Sequence, residues 1–375
     1  MTETYLSASK CPVCAGRSLC KAVLKDLSFD CFAYVFSSAT VRVHSAFYDD
    51  ERVLLENLGD IERIATIERT ICELVGEGSA ECNVSGAVSK EELDAEMNSL
   101  LRLTVGLSAM TTCPTKRLIE RIADKYLEKY DPVKLEPAEQ VQLLATLLVN
   151  PDPIVFQTFS QYDRFPFRLY VGACGSHMVT RAQGEPLSSF YGAGWLVRLR
   201  IALHLLKTAM MFTDNETRFA LYWKEISFDS FAYCSTYDVL YVTSGKDIIV
   251  VDKLAIEENH PVGWDEPVYS EFHNCSDDCS RRCPLTVPNG LCSARTADHN
   301  YYAVCRHLLS SYACQVDGRR HSFLHDIPSD VESEFYPIRL LNECARPSVV
   351  GSREILVYQL IDTLQVIIGV KESLF

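Results

Sequence analysis

Apolar residues recur along the chain with two different spacings, and the spacing marks where strands give way to helices. Thr40, Val41 and Val43, then Val53, Leu54 and Leu55, flank a polar turn at Asp49 to Arg52 and predict β-strands between Ala39 and Leu58. From Gly59-Asp60 the period lengthens, and Ile61, Ile64, Ile67 and Ile71 fall on one face of a helix. Residues 76–112, rich in Gly, Ser and Glu, read as an inserted excursion with a short helix near Glu91 to Leu103. Lys116 to Tyr130 and Pro137 to Val149 are amphipathic helices, the second stopped by Asn150-Pro-Asp-Pro because proline cannot continue it. Ile154 to Phe159 and Phe167 to Val171 read as strands, Gly172-Ala-Cys-Gly175 as a tight turn, and Gly184-Glu-Pro-Leu187 as a hinge.

Trp195 to Phe212 is apolar nearly all round, which describes a helix at the centre of a domain; Arg198, Arg200, His204 and Lys207 interrupt it and argue against a membrane span. His204 reads as a packed or capping side chain. The stretch Ala220 to Lys253 follows directly. It has a loop carrying Lys224, Glu225, Ser227, Asp229 and Ser230, a β-rich run Phe231 to Cys234, and a second run Val239 to Val242 ending at Thr243-Ser244-Gly245. Protein-kinase catalytic and metal-binding loops are spaced this way. An Asp takes the hydroxyl proton, an Asn five residues on holds one magnesium ion, and an Asp after the next strand holds the other.

Here the spacing is kept and the chemistry is changed: Glu225 stands at the base position, Ser230 at the Asn position and Thr243 at the metal Asp position. The strand Arg52-Val-Leu-Leu-Glu56 likewise puts an acid where a kinase holds phosphates with a Lys, and no glycine-rich phosphate loop precedes it. Glu56 turns attraction for polyphosphate into repulsion, and one charge pair at about 4 Å and an effective dielectric near 20 is worth about 4 kcal/mol. Thr243 offers one neutral oxygen where a hard cation takes a carboxylate. Glu62 and Glu68, on the next helix, read as a solvated face. An alternative register has Asp229 as base and Asp247 or Asp252 as metal ligand, with Lys253 beside Asp252 reading as a surface pair.

Composition adds the setting. A net charge of -14, with bases spread along the chain, argues against nucleic acid and anionic membrane as partners. No apolar run reaches the roughly 20 residues that span a bilayer, and Met1 to Lys10 lacks the pattern of a leader, which by itself predicts a cytosolic protein. Sixteen cysteines pull the other way, because cytosolic thiols are kept reduced. Cys11, Cys14 and Cys20 open the chain; Cys72, Cys82 and Cys113 follow; Cys275, Cys279, Cys283 and Cys292 sit in a polar loop with His273; Cys305, Cys314 and Cys344 come last. Disulfides, zinc binding and buried thiols are the three readings, disulfides leading. Cys174 and Cys234 read as a core thiol or a disulfide. Asn83, Asn215 and Asn274 carry acceptor sequons for N-glycosylation.

Cys-Pro-Val-Cys-Ala-Gly-Arg-Ser-Leu-Cys (11–20), Gly172-Ala-Cys-Gly175, Phe219-Ala-Leu-Tyr222 with Ile226-Ser-Phe-Asp-Ser-Phe-Ala232, Val251-Asp-Lys253 and Cys292-Ser-Ala-Arg-Thr-Ala-Asp-His-Asn-Tyr-Tyr-Ala-Val-Cys305 together resemble the divergent protein kinase domain family, in its "deleted in autism" branch. The resemblance implies an α+β, bilobal protein-kinase-like fold, with a small β-containing N-lobe, a mainly helical C-lobe and many disulfides. It implies a cysteine-rich cap over residues 1–26, an N-lobe with a helical insertion over 27–180 and a C-lobe with a cysteine-rich loop over 181–375. It also implies a lumenal or secreted setting in the endoplasmic reticulum and Golgi, with a protein partner or cell-surface receptor. Relatives keep Lys, Asp, Asn and Asp where this chain has Glu56, Glu225, Ser230 and Thr243 or Ser244. Asp298 matches the helix Asp that braces the catalytic loop of kinases through backbone hydrogen bonds. The expected function is that of a pseudokinase with no cofactor; ATP with magnesium or manganese enters only if the chain is an active lumenal kinase with an atypical nucleotide site.

Overall fold

The fold is that of a computed structural model, which describes residues 19–26, 28–35, 43–59, 61–74, 108–127, 137–272, 285–313 and 322–372. Cys11, Cys14, Cys82, Asn83, His273, Asn274, Cys275, Cys279, Cys283, Cys314, the helical pattern from Glu91 to Leu103 and the side chain of Cys72 lie outside the described residues. The chain divides into two compact units, residues 1–182 and 183–375.

The first unit is built on a five-stranded antiparallel sheet: β1 (Ser28–Val35), β2 (Val43–Tyr48), β3 (Glu51–Asn57), β4 (Tyr170–Cys174) and β5 (His177–Arg181), in the order β1-β2-β3-β5-β4. Asp49 and Asp50 both take positive φ between β2 and β3, the tight-turn geometry that short polar side chains tolerate and that suits the twist of a hairpin. Alternation along β3 divides its side chains between two faces. Val53 and Leu55 meet Leu19 and Val23, which flank and lie on the short helix α1 (Cys20–Lys25), together with Ala46, Cys174 and Val179. Leu54 and Glu56 point to the other face. Helices α2 (Ile61–Leu74), α3 (Lys116–Leu127) and α4 (Pro137–Val149) follow the predicted patterns, with Ile64 and Ile71 of α2 buried.

Two expectations in this unit are corrected. Ile154 to Phe159 belongs to a helix, α5 (Asp152–Thr158). The prolines that end α4 also open α5, since a proline in the first turn gives up no helical hydrogen bond, and the Asn150 side chain accepts from the Asp152 N–H at 3.0 Å. Gly172 to Cys174 lies in strand β4 rather than in a turn. The turn is made by Gly175, with φ at 57°, and Ser176.

The second unit centres on α6 (Trp195–Thr213), whose Leu199, Ile201, Ala202, Leu205, Leu206, Ala209 and Phe212 have no exposed surface. It packs on the ribbon of β7 (Phe219–Trp223) and β10 (Ile248–Asp252), and near a small sheet of β6 (Glu185–Pro186), β8 (Phe231–Cys234) and β9 (Val239–Val242) ordered β6-β8-β9. Gly184, expected in a hinge, opens β6 with φ at 74°; a Cβ there would come within 2.8 Å of the Tyr233 carbonyl carbon. Helices α7 (Lys253–Asn259), α8 (His299–Val304), α9 (Ser329–Phe335), α10 (Pro337–Ala345) and α11 (Arg353–Glu372) complete the unit. Among the described residues no helix is long and apolar enough to cross a membrane.

Candidate functional site

In the first unit the position of interest is Glu56, one residue from the end of β3. Its carboxylate accepts from the Arg168 guanidinium at 3.2 Å, and the two side chains are only 14% and 10% exposed. Burial pushes the Glu56 carboxyl up, while Arg168 opposes the shift and Asp152, at the start of α5, adds to it. Arg168 is held down by the same burial and supported by Glu56. Residue 56 therefore faces a cation of its own fold. Nothing in the strand pattern marked Arg168, which lies 112 residues away.

In the second unit the loop from Lys224 to Ser230 joins β7 to β8. It is closed at both ends by backbone hydrogen bonds: Lys224 N–H donates to the Asp247 carbonyl at 2.6 Å, and Thr243 N–H to the Ser230 carbonyl at 2.9 Å. Ser227 and Ser230 cap the short turn Phe228–Ser230 reciprocally, the Ser227 N–H donating to Ser230 Oγ at 3.3 Å. The Thr243 hydroxyl donates to the Asp229 carbonyl at 2.9 Å. Ser230 and Thr243 are thus brought together, as the spacing predicted, and their hydroxyls bond within the loop. Glu225 is exposed, and Asp247 lies near enough for its charge to be felt: burial pushes the Asp247 carboxyl up, Lys246 and Lys224 oppose this and Glu225 adds to it.

Asp252, a metal ligand in the alternative register, is occupied as a helix cap. It is 1% exposed and caps α7, accepting from the Ala255 N–H at 3.2 Å. Its neighbour Lys253 is also buried, and its ammonium lies 3.6 Å from Asp214, so the expected surface pair with Asp252 does not form. Among the described residues, no three His, Cys, Asp or Glu side chains gather in a form that could hold a metal ion.

Strand β7, which leads into the loop, is held from behind by α8, but not through Asp298. That carboxylate accepts from the Ser270 N–H at 2.7 Å and pairs with the buried guanidinium of Arg353, which also donates to the carbonyls of Cys344 and Ser270. The bonds to β7 come from the next two residues. His299 Nε2 donates to the Trp223 carbonyl at 2.8 Å, which leaves Nδ1 to accept from the Ser270 hydroxyl at 2.9 Å. Burial holds His299 down to about 4, so the ring is neutral. The Asn300 side chain donates to the Leu221 carbonyl at 2.8 Å and accepts from the Trp223 N–H at 3.3 Å. Asp298-His299-Asn300 thus divides the work, the acid anchoring α11 and the two amphoteric side chains gripping the strand.

Two disulfides are placed among the described residues. Cys20–Cys174 ties α1 to β4, and Cys305–Cys344 ties the end of α8 to α10. Cys113 and Cys292 are disulfide-bonded as well, whereas Cys234 is a free thiol. At the Asn215 sequon the side chain is engaged by nearby backbone. Both hydrogens of its amide are donated, to the carbonyls of Met211 at 3.0 Å and Phe219 at 2.7 Å, while its oxygen accepts from the Thr217 N–H and hydroxyl. A sugar on that nitrogen would displace one hydrogen and strand a carbonyl.

An antiparallel sheet in the first unit, and helices around short ribbons in the second, make a fold of mixed helix and sheet that is kinase-like. Comparison with known proteins agrees. The model of the "Protein-kinase domain of FAM69" matches residues 144–347. Divergent protein kinase domain 2A of Xenopus tropicalis is 34% identical over 363 residues, covering 92% of this chain and 83% of that protein, and the Homo sapiens protein of the same name is 33% identical over 364 residues with the same coverage. Divergent protein kinase domain 2B of Mus musculus is 26% identical over 272 residues, covering 68% of this chain and 62% of that protein. The chain belongs to the divergent protein kinase domain family.

Proposed function

We propose that this chain is a pseudokinase of the secretory pathway, acting as a secreted or Golgi-lumen binding and signalling protein. The observation that supports the reading is the buried Glu56–Arg168 pair: a carboxylate, already engaged, at the position that the strand pattern aligns with the phosphate-holding lysine of kinases. Ser230 and Thr243, bonded into their own loop, add to it. The disulfides favour an oxidising compartment. The test is thermal unfolding with and without ATP and magnesium or manganese. A ligand at about 100 times its Kd stabilises by about 2.7 kcal/mol, so binding is easily seen and no shift is expected. Stabilisation by ATP, together with magnesium-dependent phosphate transfer that Glu225→Ala abolishes, would overturn the proposal.

One observation favours a second reading, an active lumenal kinase with a rewired nucleotide site: the Asp247 carbonyl closes the loop that carries Glu225, and the Glu225 charge adds to the upward push of burial on the Asp247 carboxyl. Two carboxylates suit a hard divalent cation. Under that reading Asp247→Asn removes manganese-dependent stabilisation by ATP; under the first there is none to remove.

A further inference from the structure

The last helix, α11, is apolar on both sides. Val357, Leu360, Leu364 and Ile367 are buried, and the helix packs on α6 and α10. Ile355, Tyr358 and Val366 are 62%, 48% and 51% exposed, and just before the helix Val349 and Val350 are 64% and 79% exposed. Positions 355, 358, 362 and 366 are three or four apart, so they line one face over about three turns. Apolar side chains of this size gathered along one helix face mark a surface that another molecule covers.

The charges on the helix say what kind of surface that is. Its two bases are committed: Arg353 is buried on Asp298, and Lys371 lies 3.2 Å from Asp330. Its outward-facing charges, Glu354 and Asp362, are both acidic. A second copy of the chain is a poor match. Each copy carries a net charge of -14, and two such helices paired antiparallel about their midpoints would set Asp362 against Asp362. We propose that the exposed face of α11 docks a cationic amphipathic helix of a protein partner. Its apolar residues would lie on Ile355, Tyr358 and Val366, and its Lys or Arg residues against Glu354 and Asp362. Glu56 and α11 belong to different units, so the nucleotide test and this one fail independently.

The experiment titrates the full chain with an amphipathic peptide of leucine and lysine about 18 residues long, enough for five helical turns, and with its leucine–glutamate counterpart. The lysine peptide should bind at least about tenfold more tightly. Tyr358→Asp and Val366→Asp should each weaken it by about tenfold or more, and hydrogen exchange should show protection over residues 353–372. Asp362→Lys alters a solvent-facing side chain, keeps the fold by circular dichroism and should reverse the preference between the peptides, so the test stands even if the aspartate variants unfold. Equal binding of both peptides, unchanged preference in Asp362→Lys, or protection elsewhere refutes the proposal. So does a dimer in sedimentation that Tyr358→Asp dissolves, since a second copy would then cover the face.

Discussion

Arg168→Met keeps the length and apolar stem of the side chain, removes the charge, and leaves Glu56 buried without its cation. At 3.2 Å and an effective dielectric of about 20, the lost attraction is about 5 kcal/mol. Buried pairs broken from one side cost about 3–5 kcal/mol, which agrees. The stranded carboxylate can escape by taking a proton, and that makes the cost depend on pH. Burial already pushes the Glu56 carboxyl up with Arg168 opposing; without Arg168 it rises further. An acid whose folded-state pKa is raised stabilises the fold below its unfolded value, about 4.3, and loses that contribution as pH rises through the folded value. The deficit in Arg168→Met is therefore largest at neutral pH and shrinks as pH falls toward about 5. Urea unfolding followed by circular dichroism at about pH 7.5 and about pH 5 measures it, and the double change Glu56→Gln with Arg168→Met should recover most of the loss. A deficit under about 1 kcal/mol at the higher pH, or the same deficit at both, would refute a charged buried pair.

Three further outcomes are expected. Asn300→Leu leaves the Trp223 N–H and Leu221 carbonyl unpaired in the interior and should cost about 2–3 kcal/mol, read from chemical denaturation. In protein from a glycosylating host, the tryptic peptide holding Asn215 should carry no glycan by mass spectrometry, and Asn215→Ala should destabilise by about 1–3 kcal/mol although it removes only a surface-loop amide. Replacing Cys305 and Cys344 by serine opens a loop of sequence separation 39 and should cost about 4 kcal/mol on a chain-entropy basis, seen as a lower Tm under non-reducing conditions and no difference under reducing ones.

What could be read from the residues, and what could not, divides along physical lines. Helices α2, α4 and α6 and strands β3, β8 and β9 are legible because burial on one face imposes a period on neighbouring residues. The loop from Lys224 to Ser230 and its neighbour Thr243 were legible because their spacing is local. Ile154 to Phe159 misled because a short apolar run has the same composition in a buried strand and a buried helix, and the deciding proline was taken as a stop rather than a start. Arg168, Arg353 and the pairing of Cys20 with Cys174 were invisible because each acts across more than 50 residues, where only the folded chain brings partners together. The resemblance assigns Asp298 the bracing of the loop, whereas the bonds to β7 come from His299 and Asn300, a shift of one or two residues that no pattern resolves.

The buried pair at residue 56 resists change from either side. A lysine there would seat two cations side by side while Arg168 remains, and removing Arg168 first would maroon an acid. Either order of steps crosses a valley about 3–5 kcal/mol deep, a large part of the 5–15 kcal/mol by which a typical domain is stable. A chain that carries this buried pair is held to it by folding alone, whatever residue 56 does or does not bind.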